Sequence, residues 1–203
     1  KTSPILRKSL FALFSIAIFG LSSSVGAQET SDPAVSSEVA YILNTFLFLV
    51  CGFLVMFMAA GFAMLESGMV RAKNVGTICV KNISLYSVAG IMFYLVGYNL
   101  LYGIDEGGYL GSLSIWGGDD SALTADTPDF SGGYSTGSDW YFQMVFCATT
   151  ASIVSGTIAE RLKIWPFLIF TLVLTGFIYP IVGSWEWGGG FLDANFAFSD
   201  FAG

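Results

Sequence analysis

The sequence predicts an all-α polytopic membrane protein. Three observations lead there. Of 203 residues, 54% are hydrophobic and only 11% are charged, against about 25% charge in a typical soluble domain, and mean hydropathy is +0.69. Four long apolar runs follow a shorter apolar segment at the N-terminus. The few basic residues fall in alternate intervals between those runs. A helix is the expected form for each run, because it satisfies its own backbone hydrogen bonds in lipid.

Residues 1–27 have the pattern of a secretory signal. Lys1, Arg7 and Lys8 form a positive start, Leu10 to Leu21 a short apolar core, and Val25-Gly26-Ala27 places small residues at a cleavage site before Gln28. An uncleaved first helix is the other reading. Residues 28–39 then form a short external (periplasmic) segment. The spans follow at about 40–65, 83–102, 140–158 and 165–184, each near the ~20 residues that cross a ~30 Å hydrocarbon core. None is expected to carry an internal charge. Glu66 and Arg71 are expected as charges at the end of the first span, and Glu160 and Arg161 at the end of the third.

Charge asymmetry orients the chain. Arg71, Lys73 and Lys81 fall between the first two spans, and Arg161 and Lys163 between the third and fourth. Segments 28–39, 103–139 and 185–203 contain no Lys or Arg. The positive-inside rule puts both basic turns in the cytoplasm. The N-terminus after signal cleavage, the 103–139 loop and the C-terminal end then face outward. This is a multi-pass protein of the inner (plasma) membrane.

The outer loop holds Asp105, Glu106, Asp119, Asp120, Asp126, Asp129 and Asp139. It could concentrate cations, or be a solvated loop whose field is screened beyond ~8 Å at physiological salt.

Several function classes fall away. Eight Lys+Arg against 15 Asp+Glu give a net charge of −7, so nucleic-acid binding is not expected. There is no histidine, which removes imidazole acid–base chemistry and metal ligation. Cys51, Cys79 and Cys147 fit no zinc spacing and are expected as buried small hydrophobes. No phosphate-binding or dinucleotide glycine pattern is present, and no nucleophile–base pair or metal cluster is visible. Neither enzymatic activity nor a cofactor or metal is expected.

The third span carries most information. Ala148, Ser152 and Gly156 recur every four residues, and Ala151, Ser155 and Ala159 do so on a neighbouring face. Such rows let helix backbones approach closely in lipid, so this helix is expected at the centre of a bundle. Phe142 and Phe146 share one face, with Thr149 and Thr150 just inward. Two stacked rings there make either a hydrophobic constriction or ordinary packing. After the fourth span comes Trp185-Glu186-Trp187-Gly188-Gly189-Gly190. A tryptophan here is either part of an interfacial aromatic belt or a face for a small cation, worth about 0.5–2 kcal/mol. The three glycines permit backbone turns that side chains forbid.

These pieces in order carry a family resemblance. They are Gly61-Phe62-Ala63-Met64-Leu65-Glu66-Ser67-Gly68, Arg71-Ala72-Lys73-Asn74, Phe142-Gln143 with Phe146, Ala159-Glu160-Arg161, Trp187-Gly188-Gly189-Gly190, and Asp200-Phe201-Ala202-Gly203. From about Asn44 to Gly203 the chain resembles the N-terminal half of the ammonium transporter (Amt/Mep/Rh) family. The chain opens on Lys1 rather than Met and closes inside a family motif, so it is expected to be a fragment.

The resemblance implies an ammonium-transporter-like helix bundle, with four transmembrane helices and the start of a fifth in residues 40–203. It implies a homotrimer in the lipid bilayer and a PII-type regulatory protein as a possible cytoplasmic partner. Trp187 matches the residue that binds ammonium by cation–π contact, Phe146 a ring of the vestibule floor, and Phe142 its neighbour. Asp200, with Gln143, falls in the recruitment region, and Asp200 is expected to cap the fifth helix, where a carboxylate suits the helix dipole. The implied function is transport of ammonium and methylammonium: recruitment of the cation, deprotonation, and passage of neutral ammonia through an apolar pore. The pore histidines of the family would lie beyond Gly203. The alternative is an ammonium sensor or receptor on the same fold.

Overall fold

The computed structural model describes residues 35–201. The expected signal segment, 1–27, lies outside the described residues. The chain divides into Lys1–Ser36 and Ser37–Gly203, and the architecture below is that of the second unit.

Four long helices dominate it: α1 (Ser37–Met69), α2 (Ala72–Tyr102), α3 (Thr136–Thr157) and α4 (Ile164–Ser184). A short α5 (Phe191–Phe196) follows. No strand occurs among the described residues. α1, α2 and α4 are long and apolar enough to cross a membrane, with mean hydropathies of 2.5, 1.5 and 2.0. α3 is 22 residues long but more polar. Its neighbours account for that. α3 packs on α1, α2 and α4 and buries Ser138, Asp139, Thr149, Ser152 and Ser155. A helix enclosed by other helices meets little lipid and does not need an apolar exterior.

The small-residue rows make this central placement possible. Ala148, Ala151, Ser152 and Ser155 are all at most 1% exposed. Facing α3, Gly52 of α1 leaves room for the Tyr141 ring, which a Cβ at Gly52 would meet at 2.7 Å. Two apolar clusters fill the interior, one around Phe93, Met144, Val145 and Ala148, the other around Leu85, Ala151, Phe167 and Leu174. By contrast α1 buries only Tyr41, Gly52 and Glu66. Its Phe46, Leu54, Phe57 and Met64 are exposed, as suits a lipid-facing surface.

α2 and α4 each contain one π-helical turn, Phe93–Gly97 and Leu174–Ile178, and the two turns pack side by side. Gly97 lies against the Pro180 ring and the Thr175 carbonyl, and Gly176 against Met92. A π turn disturbs the i→i−4 ladder. Here the Cys147 thiol donates to the Thr175 carbonyl at 3.3 Å.

Three sequence expectations need correction. First, the bundle does hold internal charges. Glu66 and Lys81 are 1% and 5% exposed, because α1 continues to Met69 and α2 begins at Ala72, beyond the hydropathy minima between the runs. Second, Asp139 does not belong to the solvated loop. It sits in the first turn of α3, is buried, and accepts a hydrogen bond from the Tyr98 hydroxyl. Third, only Cys147 is fully buried, while Cys51 is half-buried and Cys79 exposed.

The 103–139 loop folds back onto the helix ends. The Trp116 ring meets those of Tyr94, Tyr98 and Trp140, and the Trp116 backbone N–H donates to the Tyr94 carbonyl at 2.9 Å. Asp120 accepts from the Ser135 hydroxyl at 2.9 Å and from the Thr136 N–H at 3.1 Å. A loop carboxylate thus occupies the start of α3, where the helix dipole favours it. Asp105, Glu106, Asp119, Asp126 and Asp129 remain exposed.

Candidate functional site

At the end of the bundle where α3 begins, the five residues singled out from sequence line one cavity. Phe142, Gln143, Phe146, Trp187 and Asp200 surround a volume of about 330 Å3, together with Tyr102 and Tyr179. α3 contributes the first three, the segment after α4 contributes Trp187, and Asp200 follows α5.

Phe142 and Phe146 lie one turn apart with centroids 5.1 Å apart and planes at 76°. They meet edge to face rather than stacked, the arrangement favoured by the ring quadrupole. Phe48 from α1 props Phe142 in the same way, at 5.1 Å and 84°. The rings are therefore held by an aromatic chain that includes Tyr134, whose ring lies 4.5 Å from Phe48. Just inward, the Thr149 and Thr150 hydroxyls donate back to the Val145 and Phe146 carbonyls at 2.8 and 3.2 Å. Their donors are spent on their own helix, and the wall stays apolar.

Trp187 is 47% exposed and fixed by its backbone. Its N–H donates to the Gly183 carbonyl at 2.9 Å. Gly183 lets Leu101 approach to the space a Cβ would fill, and that Cβ would also touch the Trp187 ring at 3.5 Å. The three glycines after it have separate reasons. A Cβ on Gly188 would collide with the Leu101 carbonyl, and one on Gly190 with the Ser184 carbonyl and Trp185 Cα. Gly189 has φ +75°, a conformation costing an L-residue roughly 1–2 kcal/mol. Tight folding here turns Trp187 back over the cavity.

Glu186 was missed in the sequence. Its carboxylate accepts the backbone N–H of Asp200, which ties the segment after α5 to the end of α4. Tyr102 and Tyr179 were missed too. Both end or interrupt an apolar run, where a tyrosine looks like an interfacial anchor. No sequence spacing joins them, since the packing of α2 on α4 brings them to one place.

The cavity is lined by five aromatic rings, one carboxamide and one carboxylate, with no basic side chain. Aromatic faces are electron-rich, and a cation within about 6 Å of a ring centroid is attracted. Gln143 and Asp200 bring oxygen acceptors. The chemistry suits a small cation able to donate hydrogen bonds and disfavours an anion. No cluster of metal-ligating side chains occurs among the described residues.

The fold and this cavity define a multi-pass α-helical membrane protein with an aromatic-lined cavity at one end of its helices. The chain belongs to the Ammonium Transporter Family, whose model matches residues 46–203. It is similar to the ammonium transporter Amt2 of Archaeoglobus fulgidus, with 45% identity over 147 residues, covering 72% of this chain and 29% of that protein. It is also similar to Amt1 of Haloferax mediterranei, with 38% identity over 164 residues, covering 81% and 30%. A relative from Synechocystis sp. is 39% identical over all 203 residues, which span 43% of its own length. Among solved structures, one titled Sensor Amt Protein matches with a TM-score of 0.65 and 28% identity, covering 75% of this chain and 36% of that one. The chain spans less than half the length of the curated relatives it matches.

Proposed function

We propose that this chain forms the recruiting half of an ammonium transporter, with Trp187 binding ammonium or methylammonium at the outer vestibule. The observation that carries the reading is the convergence of Phe142, Gln143, Phe146, Trp187 and Asp200 on one cavity without a basic side chain. Family membership supports the substrate. A cation held against Trp187 meets the Phe142–Phe146 pair next. Moving it further as an ion is expensive, since a charge in hydrocarbon costs several kcal/mol. Transfer of a proton from ammonium to water leaves neutral ammonia and hydronium and removes that cost from the nitrogen, so the conducted species is neutral ammonia. Asp200 and Gln143 orient the recruiting end.

In this reading the protein is multi-pass in the plasma membrane with its basic turns in the cytoplasm. Span boundaries follow α1 to α4, and further helices, a homotrimer or both cover the apolar face of α1. A PII-type protein would meet the basic side. A sensor is the second reading, favoured by the likeness to the structure titled Sensor Amt Protein.

The test is uptake of labelled methylammonium by cells lacking their own ammonium transporters and expressing the protein as its gene encodes it. Uptake is expected, and Trp187→Leu should reduce it most at low substrate concentration. Equal uptake by wild type and Trp187→Leu would remove the cation site. Correct membrane insertion with bound methylammonium but no uptake would favour the sensor.

A further inference from the structure

Asp139 is 7% exposed and forms no ion pair among the described residues. The basic side chains there, Arg71, Lys73, Lys81, Arg161 and Lys163, all line a different cavity, beside the α1–α2 and α3–α4 turns. A buried carboxylate is ordinarily paired with a cation, because taking a charge out of water is costly. Lys81 answers Glu66 in this way, at 3.1 Å. Asp139 is met only by dipoles. It accepts from the Tyr98 hydroxyl, and it sits in the first turn of α3, where the positive end of the helix dipole favours an anion. Dipoles keep the carboxylate ionised without neutralising it.

The charge stands next to the aromatic cavity. Asp139 heads the stripe of α3 that lines it, with Phe142, Gln143 and Phe146 following at i+3, i+4 and i+7, positions that share one helix face. On α2, Tyr98 and Tyr102 lie one turn apart with ring centroids 5.2 Å apart. Tyr102 lines the cavity, and Tyr98 holds the carboxylate. One pair of tyrosine rings thus joins the buried charge to the cavity wall. The exposed carboxylates of the 103–139 loop act through water and salt, which screen them, whereas a buried charge is screened much less.

We propose that Asp139 is the buried counter-charge for the cation in the aromatic cavity, a positioning residue that raises cation affinity through its field and not by contact. The proposal rests on the reading of Trp187 as the cation site. Ammonium or methylammonium brings the positive charge that the protein does not supply to Asp139. A neutral amine gains nothing from the same field, so Asp139 favours the protonated form at this end of the bundle. Asp200 has a different part, since it lines the cavity directly. Sequence alone places Asp139 with the loop acids, and only its burial behind Tyr98 and Tyr102 separates it from them.

The experiment compares wild type with Asp139→Asn in the protein as its gene encodes it. Asparagine keeps an oxygen to accept from Tyr98 and removes the charge. Uptake of labelled methylammonium gives KM and Vmax, and calorimetry on the purified protein in nanodiscs gives the Kd of methylammonium. Both KM and Kd should rise about tenfold, the size a buried unit charge gives across a few side chains, with Vmax unchanged. Tyr98→Phe removes the hydrogen bond but leaves the charge, and should move KM far less. Asp139→Glu against Asp139→Gln repeats the comparison if Asp139→Asn does not reach the membrane, with the weaker binding expected in Asp139→Gln. Equal methylammonium affinity in the charged and neutral variants would overturn the counter-charge and leave the Trp187 site standing. A fall in Vmax at constant KM, or a rise of KM in Tyr98→Phe equal to that in Asp139→Asn, would show a structural role and overturn it as well. Failure of the wild type to bind methylammonium would remove the Trp187 reading and the counter-charge with it.

Discussion

Lys81 Nζ lies 3.1 Å from Glu66 Oε2, with the two side chains 6% and 1% exposed. The pair joins α1 to α2, and α3 completes it. Lys81 also donates to the Ser155 carbonyl at 3.0 Å, the Ser155 hydroxyl donates to Glu66 at 2.9 Å, and Asn82 Nδ2 donates to Glu66 at 3.3 Å. Lys81 further lies 5.2 Å from the centre of the Phe167 ring. Removing one partner strands the other charge in the interior, at a cost of about 3–5 kcal/mol. Lys81→Met is therefore expected to be strongly destabilised. Glu66→Leu with Lys81→Met should recover most of the loss, because neither charge is then buried. Thermal unfolding in detergent separates the two, and a double variant no more stable than Lys81→Met would contradict the account.

Tyr98, half-buried, and Asp139, buried, form a second polar contact inside the bundle, near the start of α3. Tyr98→Phe keeps the ring packed against Phe93 and Trp116 and deletes only the donor. A hydrogen bond to a charged group contributes about 1.5–3 kcal/mol, and a loss of that size is expected. Circular dichroism melts of Tyr98→Phe check it. A midpoint equal to wild type would mean that Asp139 finds a substitute donor.

The helices were legible in the sequence because hydropathy and length report the capacity to cross a bilayer, and α1, α2 and α4 are long and apolar enough to do so. The centrality of α3 was legible from Ala148, Ser152 and Ser155, since small side chains serve close approach. Glu66, Lys81 and Asp139 were misplaced for one reason. A hydropathy run ends at its first charge, whereas a helix continues through a charge that finds a partner on another helix. Those partners lie far off in sequence, as Ser155 does from Glu66. The same holds for Tyr102 and Tyr179 in the aromatic cavity. Phe142, Phe146, Trp187, Gln143 and Asp200 were singled out through family motifs and line one cavity, and bare periodicity did not distinguish them from packing or an aromatic belt.

Glu160 offers a pH test outside the spans. It adopts φ 62°, an unfavourable conformation for a residue with a Cβ, and its carboxylate accepts from Arg71 and Asn74. The Arg71 backbone N–H, then Asn74, then the Arg71 guanidinium hold its carboxyl at about 2, below the usual 4.5. A carboxyl lowered in the folded state stabilises fully above its unfolded value and loses that contribution as pH falls through the folded value. The stability gap between wild type and Glu160→Gln should be constant above about pH 4.5 and close progressively towards pH 2. Melting midpoints across that range test the sign, and a gap that widens on acidification would reverse it.

The glycines behind Trp187 should respond unequally to one added methyl group. Gly189 has open space around it but φ +75°, so Gly189→Ala should cost about 1–2 kcal/mol through backbone strain. Gly189→Asn should cost less, because asparagine visits this conformation more readily. Gly190 has the opposite problem. Its φ is −73°, acceptable to any residue, yet its Cβ would press on the Ser184 carbonyl and Trp185 Cα. Backbone atoms cannot swing aside, so Gly190→Ala must shift the turn that carries Trp187. Unfolding midpoints rank the three variants for stability. Acrylamide quenching, compared in each case with the matching Trp187→Phe variant, reports the indole's exposure. Gly190→Ala should change the Trp187 signal, while Gly189→Asn should leave it as in wild type. If both leave it unchanged, the glycines do not set the position of the ring.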